Sequence, residues 1–155
     1  MTDRPTRDQY SYFCPITTRW SDNDVYGHIN NVAYYSFFDT AANSFLIHQG
    51  GLDIHSAQVI AIVVESKCHY HAPLAYPQPI TAGVRVDKLG NRSVTWGIAI
   101  FSSSELDAKD SQAAAHGHFV HVFVDRATRK PIVIPTIIRD ALLKLTVADT
   151  PLTAE

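Results

Sequence analysis

Between Asn31 and Gly50 the apolar and aromatic positions follow the period of an α-helix. One face carries Tyr34, Phe38, Ala41, Phe45 and His48, and Phe37, Ala42 and Leu46 widen it. The pair Gly50-Gly51 follows directly, and glycine commonly ends a helix because it adopts the left-handed conformation without strain. The pattern therefore predicts one long and well-buried helix.

After these glycines the pattern changes to that of β-strands. Residues 59–64 are almost continuously apolar, and residues 65–71 alternate before Pro73, which indicates one long strand. Three further segments rich in β-forming residues span 80–89, 93–102 and 113–125. A Gly90-Asn91 turn and the polar stretch 103–111 separate them, so we predict an antiparallel meander.

The two ends complete the predicted order of elements. Residues 12–19 indicate a first strand, and the spacing of Ile137, Ile138, Ala141, Leu142 and Leu145 indicates a short amphipathic helix. One buried helix followed by several antiparallel strands is typical of an α+β domain. We expect a single domain over residues 1–155, with a core over about 10–146 and loose termini at 1–9 and 149–155.

Composition removes several classes of protein. Of the 155 residues 46% are hydrophobic and 18% charged, which is typical of a globular core, and the formal charge of −2 gives no reason to bind nucleic acid. Cys14 and Cys68 form no paired motif, so we expect reduced thiols. The N-terminus lacks the order of a signal peptide and no apolar run is long enough to cross a membrane, so we expect a cytoplasmic protein.

The segment 19–31, which reads RWSDNDVYGHINN, connects the first strand to the long helix. A helix N-terminus presents unpaired N–H groups and a partial positive charge, which stabilise a developing oxyanion, and Asn30 and Asn31 are placed there. Asp24 lies just upstream, where its carboxylate could attack a carbonyl carbon or activate water. The alternative is that Asp22, Asp24 and Asn30 only cap the loop and the helix.

Residues 20–31 together with Tyr34 fit the pattern D-x-D-x-x-G-H-x-N-N-x-x-Y and resemble the signature of the 4-hydroxybenzoyl-CoA thioesterase-like family. The similarity continues through His71-Ala-Pro73-Leu, Gly90-Asn-Arg92-Ser93 and the strand that ends at Asp125, and it covers about residues 12–145. It implies the hotdog fold, in which a curved antiparallel sheet of about five strands wraps a long helix. It also implies hydrolysis of an acyl-CoA thioester without a metal or other cofactor.

The resemblance assigns roles to the matching residues. Asp24 corresponds to the catalytic carboxylate, as nucleophile or as general base, and Asp22 to a supporting residue. The oxyanion donor corresponds to the backbone N–H of Asn31 or a neighbour. Gly27 would supply a special backbone conformation, and His28 would orient Asp24 or the loop.

The resemblance further implies a homodimer or homotetramer with a site at the subunit interface. Asn30 and Tyr34 are then candidates for contact with the substrate, although Tyr34 is as readily explained by core packing. For the CoA phosphates the candidates are Lys67, Arg92 and Ser93, for each of which an ordinary surface role is the alternative. The sequence does not identify the acyl group or distinguish CoA from an acyl carrier protein.

The sequence leaves three other functions to consider. The pairs His69 with His71 and His116 with His118 each lie on one side of a strand, but no third ligand at a diagnostic spacing favours zinc. Hotdog hydratases place a catalytic aspartate and histidine five positions apart, whereas Asp24 and His28 are four apart. A silent hotdog protein that only binds an acyl-CoA or an acyl carrier is the remaining alternative.

Overall fold

The fold was analysed in a computed structural model that describes residues 3–103, 108–147 and 150–152. Its strands are β1 (Tyr12–Ile16), β2 (Val59–Tyr70), β3 (Ile80–Leu89), β4 (Ser93–Ser102) and β5 (Ala115–Asp125). Its α-helices are α1 (Asn31–His48) and α2 (Thr136–Leu143), and short 3-10 helices span Arg7–Gln9 and Trp20–Asp22. Both ends of α1 and the three-stranded meander lie where the sequence predicts them.

The five strands form one antiparallel sheet in the order β1-β3-β4-β5-β2. The helix α1 contacts β1, β2, β3 and β4, so the sheet curves around it. The expected α+β hotdog fold is therefore confirmed. β1 is shorter than the predicted 12–19 because its last residue, Ile16, pairs with Ile80, the first residue of β3.

The core lies between α1 and the concave face of the sheet. The buried residues of α1 are Tyr34, Phe37, Phe38, Ala41, Ala42, Phe45 and Leu46. Phe38 meets Phe119 of β5 with ring centroids 5.9 Å apart, and Phe45 meets Trp96 of β4 at 5.7 Å, both edge to face. Each such pair contributes about 1 kcal/mol beyond the free energy of burying its apolar area. These edge-to-face contacts therefore help to set the position of α1 on the sheet.

The described parts of the two ends are bound to the sheet, where loose termini were expected. Thr6 forms a bridge with Gln112, and the Arg4 side chain donates to the carbonyl of Ala113 at 2.7 Å. Leu152 forms a bridge with Leu89. No helix within the described ranges is long and apolar enough to cross a membrane. Cys14 and Cys68 are both free of disulfide bonds.

His121 is a buried titratable group in this core and gives a prediction of pH-dependent stability. It is 1% exposed, its Nδ1 accepts a 3.0 Å hydrogen bond from Trp96 Nε1, and burial lowers its pKa from the usual 6.5 to about 4. The unfolded chain therefore binds a proton below the usual pKa, while the folded chain stays neutral until about pH 4. Stability should fall by up to about 3 kcal/mol as the pH drops through this window.

Denaturant unfolding measured at about pH 7 and about pH 4.5 tests this expectation. His121→Asn has Oδ1 near the position of Nδ1, so it keeps an acceptor for Trp96 but does not titrate, and it should show a clearly smaller loss of stability at the lower pH. An equal loss in the wild type and the variant would contradict the assignment.

Candidate active site

The segment between the Trp20–Asp22 turn and α1 forms a small hairpin. The Asp24 N–H donates to His28 O at 2.9 Å, the Asn30 N–H donates to Asp22 O at 2.8 Å, and Asn23 and Ile29 form an antiparallel bridge. Gly27 closes the turn with a left-handed φ of +83°, a conformation that L side chains adopt only at a cost. Glycine is therefore the residue best suited to this turn.

A second segment of the chain supports this hairpin from outside. The Ile29 N–H donates to Leu74 O at 2.7 Å, and the Asn23 side chain accepts from the Tyr76 N–H at 3.0 Å. Because both contacts come from the loop between β2 and β3, the position of the hairpin depends on the sheet as well as on α1.

Asp24 is half-buried at the end of the hairpin. Its Oδ1 accepts from the Tyr26 N–H at 2.9 Å, and within the described ranges this is the only hydrogen bond that its side chain makes. The second carboxylate oxygen is therefore free to act on a substrate. Asp24 lines an open pocket of about 490 Å³ together with Trp20, Asn23, Val25 and Gly27.

Asp22 has the supporting position expected for it. It is 3% exposed, and its carboxylate accepts from the Arg19 backbone N–H at 2.8 Å and from Arg19 Nη2 at 2.9 Å. Its backbone carbonyl also accepts from Asn30. With both oxygens occupied inside the protein, Asp22 holds the hairpin and is poorly placed to react.

The N-terminus of α1 offers an unpaired donor within the described part of the chain. Asn30 is the N-cap: its Oδ1 accepts from the Val32 N–H at 3.3 Å and its carbonyl accepts from the Ala33 N–H at 2.9 Å. The Asn31 N–H has no acceptor among residues that the structure describes. An unpaired N–H at the positive end of a helix can bind a carbonyl oxygen or an oxyanion.

A second pocket, of about 250 Å³, opens at this helix end. It is lined by Ile29, Asn31, Tyr34, Tyr70, His71, Ala72 and Pro73. Tyr34 is 3% exposed, and burial raises its pKa to about 12. It therefore lines the pocket as a neutral phenol. Tyr70 packs on it edge to face at 5.1 Å, and sequence patterns alone did not indicate Tyr70.

The structure places the remaining predicted residues less uniformly. His28 contacts Asp24 through its backbone carbonyl, and its side chain is exposed. Among the pockets formed by residues that the structure describes, Asp24 lines one and Asn31 lines another.

The three CoA-phosphate candidates are not brought together. Lys67 pairs with His118 while Ser93 pairs with Val122, four positions along β5, which corresponds to roughly 13 Å along the strand. Lys67 also lies on the sheet face opposite α1, because the neighbouring β5 residue Phe119 is the one that contacts the helix. Arg92 lies one position further along β5 from His118, because its carbonyl accepts from the Phe123 N–H.

The histidines associate across strands. His71 Nε2 lies 2.7 Å from His116 Nδ1, and His69 stacks on His116 with centroids 5.2 Å apart. Burial, then the nearby His71, His69 and Arg85, lowers the pKa of His116 to about 4. No group of three or more potential ligands with metal-binding geometry occurs in the part of the chain that the structure describes.

Large apolar side chains lie exposed around the hairpin. Val25 is 94% exposed, Tyr26 82%, Trp20 77% and Val32 65%. Apolar clusters of this kind on a soluble domain commonly mark a surface that another molecule covers.

Comparison with known proteins relates this geometry to a family. A model of the thioesterase-like superfamily matches residues 18–142, which include the hairpin, α1 and all strands from β2 onward. The crystal structure of the PA5185 protein from Pseudomonas aeruginosa strain PAO1 is 52% identical, with a TM-score of 0.89, and the match covers 94% of this chain and 99% of that chain.

Two more distant matches extend this comparison. Slr0204 from Synechocystis, a 1,4-dihydroxy-2-naphthoyl-CoA thioesterase, is 14% identical with a TM-score of 0.72 over 86% of this chain and 96% of that chain, which shows a common fold. The YsmA protein of Bacillus subtilis (strain 168) is 22% identical over 89 residues, which are 57% of this chain and 60% of YsmA. The matched part thus spans less than two-thirds of YsmA.

Proposed function

This chain belongs to the thioesterase-like superfamily, and we propose that it is a thioester hydrolase that cleaves an acyl-CoA to a free carboxylic acid and CoA with Asp24 as the catalytic carboxylate. The observation that carries the proposal is the half-buried Asp24 with one uncommitted carboxylate oxygen, in a hairpin that leads directly into an unpaired helix N-terminus. CoA as the leaving group is supported by the named substrate of Slr0204.

The carboxylate can act on the thioester in two ways. As a nucleophile, Asp24 attacks the thioester carbonyl carbon, the C–S bond breaks, CoA leaves as a thiolate that takes a proton, and water hydrolyses the resulting anhydride. As a general base, Asp24 removes a proton from a water molecule that attacks the same carbon; the C–S bond then breaks and the proton passes to the departing CoA thiolate. Both routes consume one water, yield a carboxylic acid and a thiol, and leave every oxidation state unchanged, so neither requires a redox cofactor.

We assign the oxyanion contact to the Asn31 N–H. In either route negative charge develops on the thioester oxygen, and a helix N-terminal donor stabilises it more in the transition state than in the ground state. Removing one such donor typically costs about 10²- to 10³-fold in turnover. The donor is a backbone group, so truncating the Asn31 side chain leaves it in place.

We further propose that the site is completed in a homodimer formed through the edge of β2. This strand has a free edge and carries a consecutive exposed apolar run, Ile62, Val63 and Val64. Free apolar edges favour pairing with another strand. β2 ends at Tyr70, which lines the pocket that contains Asn31, so a partner strand on β2 would lie beside that pocket.

Val64→Lys should therefore dissociate the dimer and reduce turnover by about 10-fold or more, because a charged side chain on an edge strand opposes pairing. Light scattering and thiol-release kinetics on the same samples provide the test. Ile137→Lys, at a 73% exposed apolar position on α2, is the matched control and should change neither result. A wild-type protein that is monomeric at micromolar concentration and fully active would contradict the proposed dimer.

The activity itself is tested by thiol release from short, medium, long and aromatic acyl-CoAs, with the corresponding acyl-pantetheines and a loaded acyl carrier protein in parallel. Hydrolysis of acyl-CoA that persists after treatment with a chelator supports the proposal. Binding of these thioesters without hydrolysis would favour the alternative of a catalytically silent protein that only binds them. A preference for the loaded carrier protein would mean that the carrier, and not CoA, is the leaving group.

A further inference from the structure

Tyr70, the last residue of β2, connects the sheet to the first turn of α1. Its hydroxyl donates a 2.9 Å hydrogen bond to the carbonyl oxygen of Asn31, a residue 39 positions earlier in the chain. Its ring packs edge to face on the buried Tyr34, at 5.1 Å between centroids. The hydroxyl is thus held in one place both by the ring contact and by its acceptor.

This hydrogen bond acts on the peptide group next to the unpaired donor. The Asn31–Val32 peptide is held at both ends, because its carbonyl accepts from Tyr70 and its N–H donates to Asn30 Oδ1 at 3.3 Å. Fixing this peptide plane restricts rotation about the Asn31 backbone. The direction of the Asn31 N–H, which itself has no acceptor within the described ranges, is restricted with it.

We propose that Tyr70 is a positioning residue that holds the Asn31 N–H in the direction required to bind the oxyanion. The inference rests on the proposed thioester hydrolysis and adds a residue to its site. Tyr70 is not a second oxyanion donor, since a phenol has one proton and here donates it to Asn31. Burial, then the neighbouring Cys68 and Tyr35, raises the pKa of Tyr70, so the proton stays in place.

The chain offers a matched control at Tyr12. The Tyr12 hydroxyl also bonds α1, at the Ser44 side chain 3.0 Å away, and its ring also packs edge to face on a helix residue, Phe45 at 5.1 Å. Tyr12 and Tyr70 therefore make the same kinds of contact with one helix. Only the Tyr70 contact lies at the proposed oxyanion donor.

The experiment compares Tyr70→Phe with Tyr12→Phe in the full-length protein. We expect Tyr70→Phe to lower kcat by about 10-fold with KM within about twofold, as for an interaction that acts mainly in the transition state. Tyr12→Phe should leave both constants unchanged. Hydrogen–deuterium exchange should accelerate in the peptide that covers residues 30–36 for Tyr70→Phe, and not for Tyr12→Phe.

The outcomes separate this inference from the function on which it rests. A wild-type protein without thioesterase activity, or an Asp24 variant with full activity, would contradict the proposed function and this inference together. With an active, Asp24-dependent wild type, an unchanged kcat for Tyr70→Phe would contradict the inference alone. Equal losses in Tyr70→Phe and Tyr12→Phe would also overturn it, because they would indicate a general loosening of α1.

Discussion

Asp24→Asn should lower turnover by about 10³-fold or more while the protein remains folded. The amide is nearly the same shape as the carboxylate and its oxygen can still accept from the Tyr26 N–H, so the turn at the end of the hairpin is retained. What is lost is the negative charge needed to attack the thioester or to take a proton from water. Thiol release under saturating acyl-CoA, with circular dichroism on the same samples, gives the measurement.

Asp22→Asn is the matched control for this experiment. It makes the same chemical change two residues earlier, at a carboxylate whose oxygens are both occupied by Arg19. We expect a loss of stability of about 1–3 kcal/mol, since a buried ion-paired group is weakened, with kcat within about 10-fold of the wild type. Full activity in Asp24→Asn, or equal losses in the two folded variants, would contradict the assignment of Asp24.

Isotope labelling distinguishes the two possible roles of Asp24. A single turnover in ¹⁸O-labelled water places the label in the Asp24 carboxylate if an anhydride forms and water attacks it at the aspartyl carbon. In the general-base route the label enters only the carboxylic acid product. Mass spectrometry of the peptide that contains Asp24 reads out the difference.

The fold could be predicted in some detail because its signals are local. The helical spacing of aromatic residues and the glycine pair that follows them predicted both ends of α1. Glycine is also required there by packing, because a Cβ on Gly50 would lie 2.7 Å from Leu46 O. The change to strand-like segments after it gave β2 to β5. Turn chemistry at Gly90-Asn91 separated β3 from β4, which the observed pairing confirms.

The site was predicted less completely because its contacts are not local. The face of Lys67 depends on a bulge between Val63 and Glu65, which changes the alternation of β2. Before the bulge the odd-numbered residues lie opposite the inward-facing residues of β5; after it, the even-numbered ones do. A regular two-residue period counted from Val59 therefore assigns Lys67 to the wrong face of the sheet.

Tyr70 and the histidine cluster illustrate the same limit. Nothing in the spacing of residues 31 and 70 indicates that a strand end meets a helix start, and that contact exists only once the sheet has curved around α1. The H-x-H pattern groups His69 with His71 and His116 with His118. Strand pairing instead places His69 opposite His116, and the short contact of His116 is with His71.

Gly117→Ala should cause the largest loss of stability among these variants, about 3 kcal/mol or more. A Cβ at this position of β5 would lie 1.7 Å from the backbone oxygen of Lys67 and 2.9 Å from the Cα of Cys68. Both are backbone atoms and cannot rotate aside, so β2 must move away from β5 at this point. The displaced end of β2 carries Tyr70, so we expect reduced turnover in any folded fraction.

Denaturant unfolding of Gly117→Ala beside Gly27→Ala separates this clash from the general cost of replacing a glycine. A Cβ on Gly27 meets nothing within 4 Å, and its penalty comes only from the left-handed φ of +83°, about 1 kcal/mol. The unfolding midpoint should therefore fall much further for Gly117→Ala. Equal midpoints in the two variants would mean that β2 and β5 do not approach so closely at Lys67. The position of Tyr70 against α1, which depends on this strand pairing, would then be wrong as well.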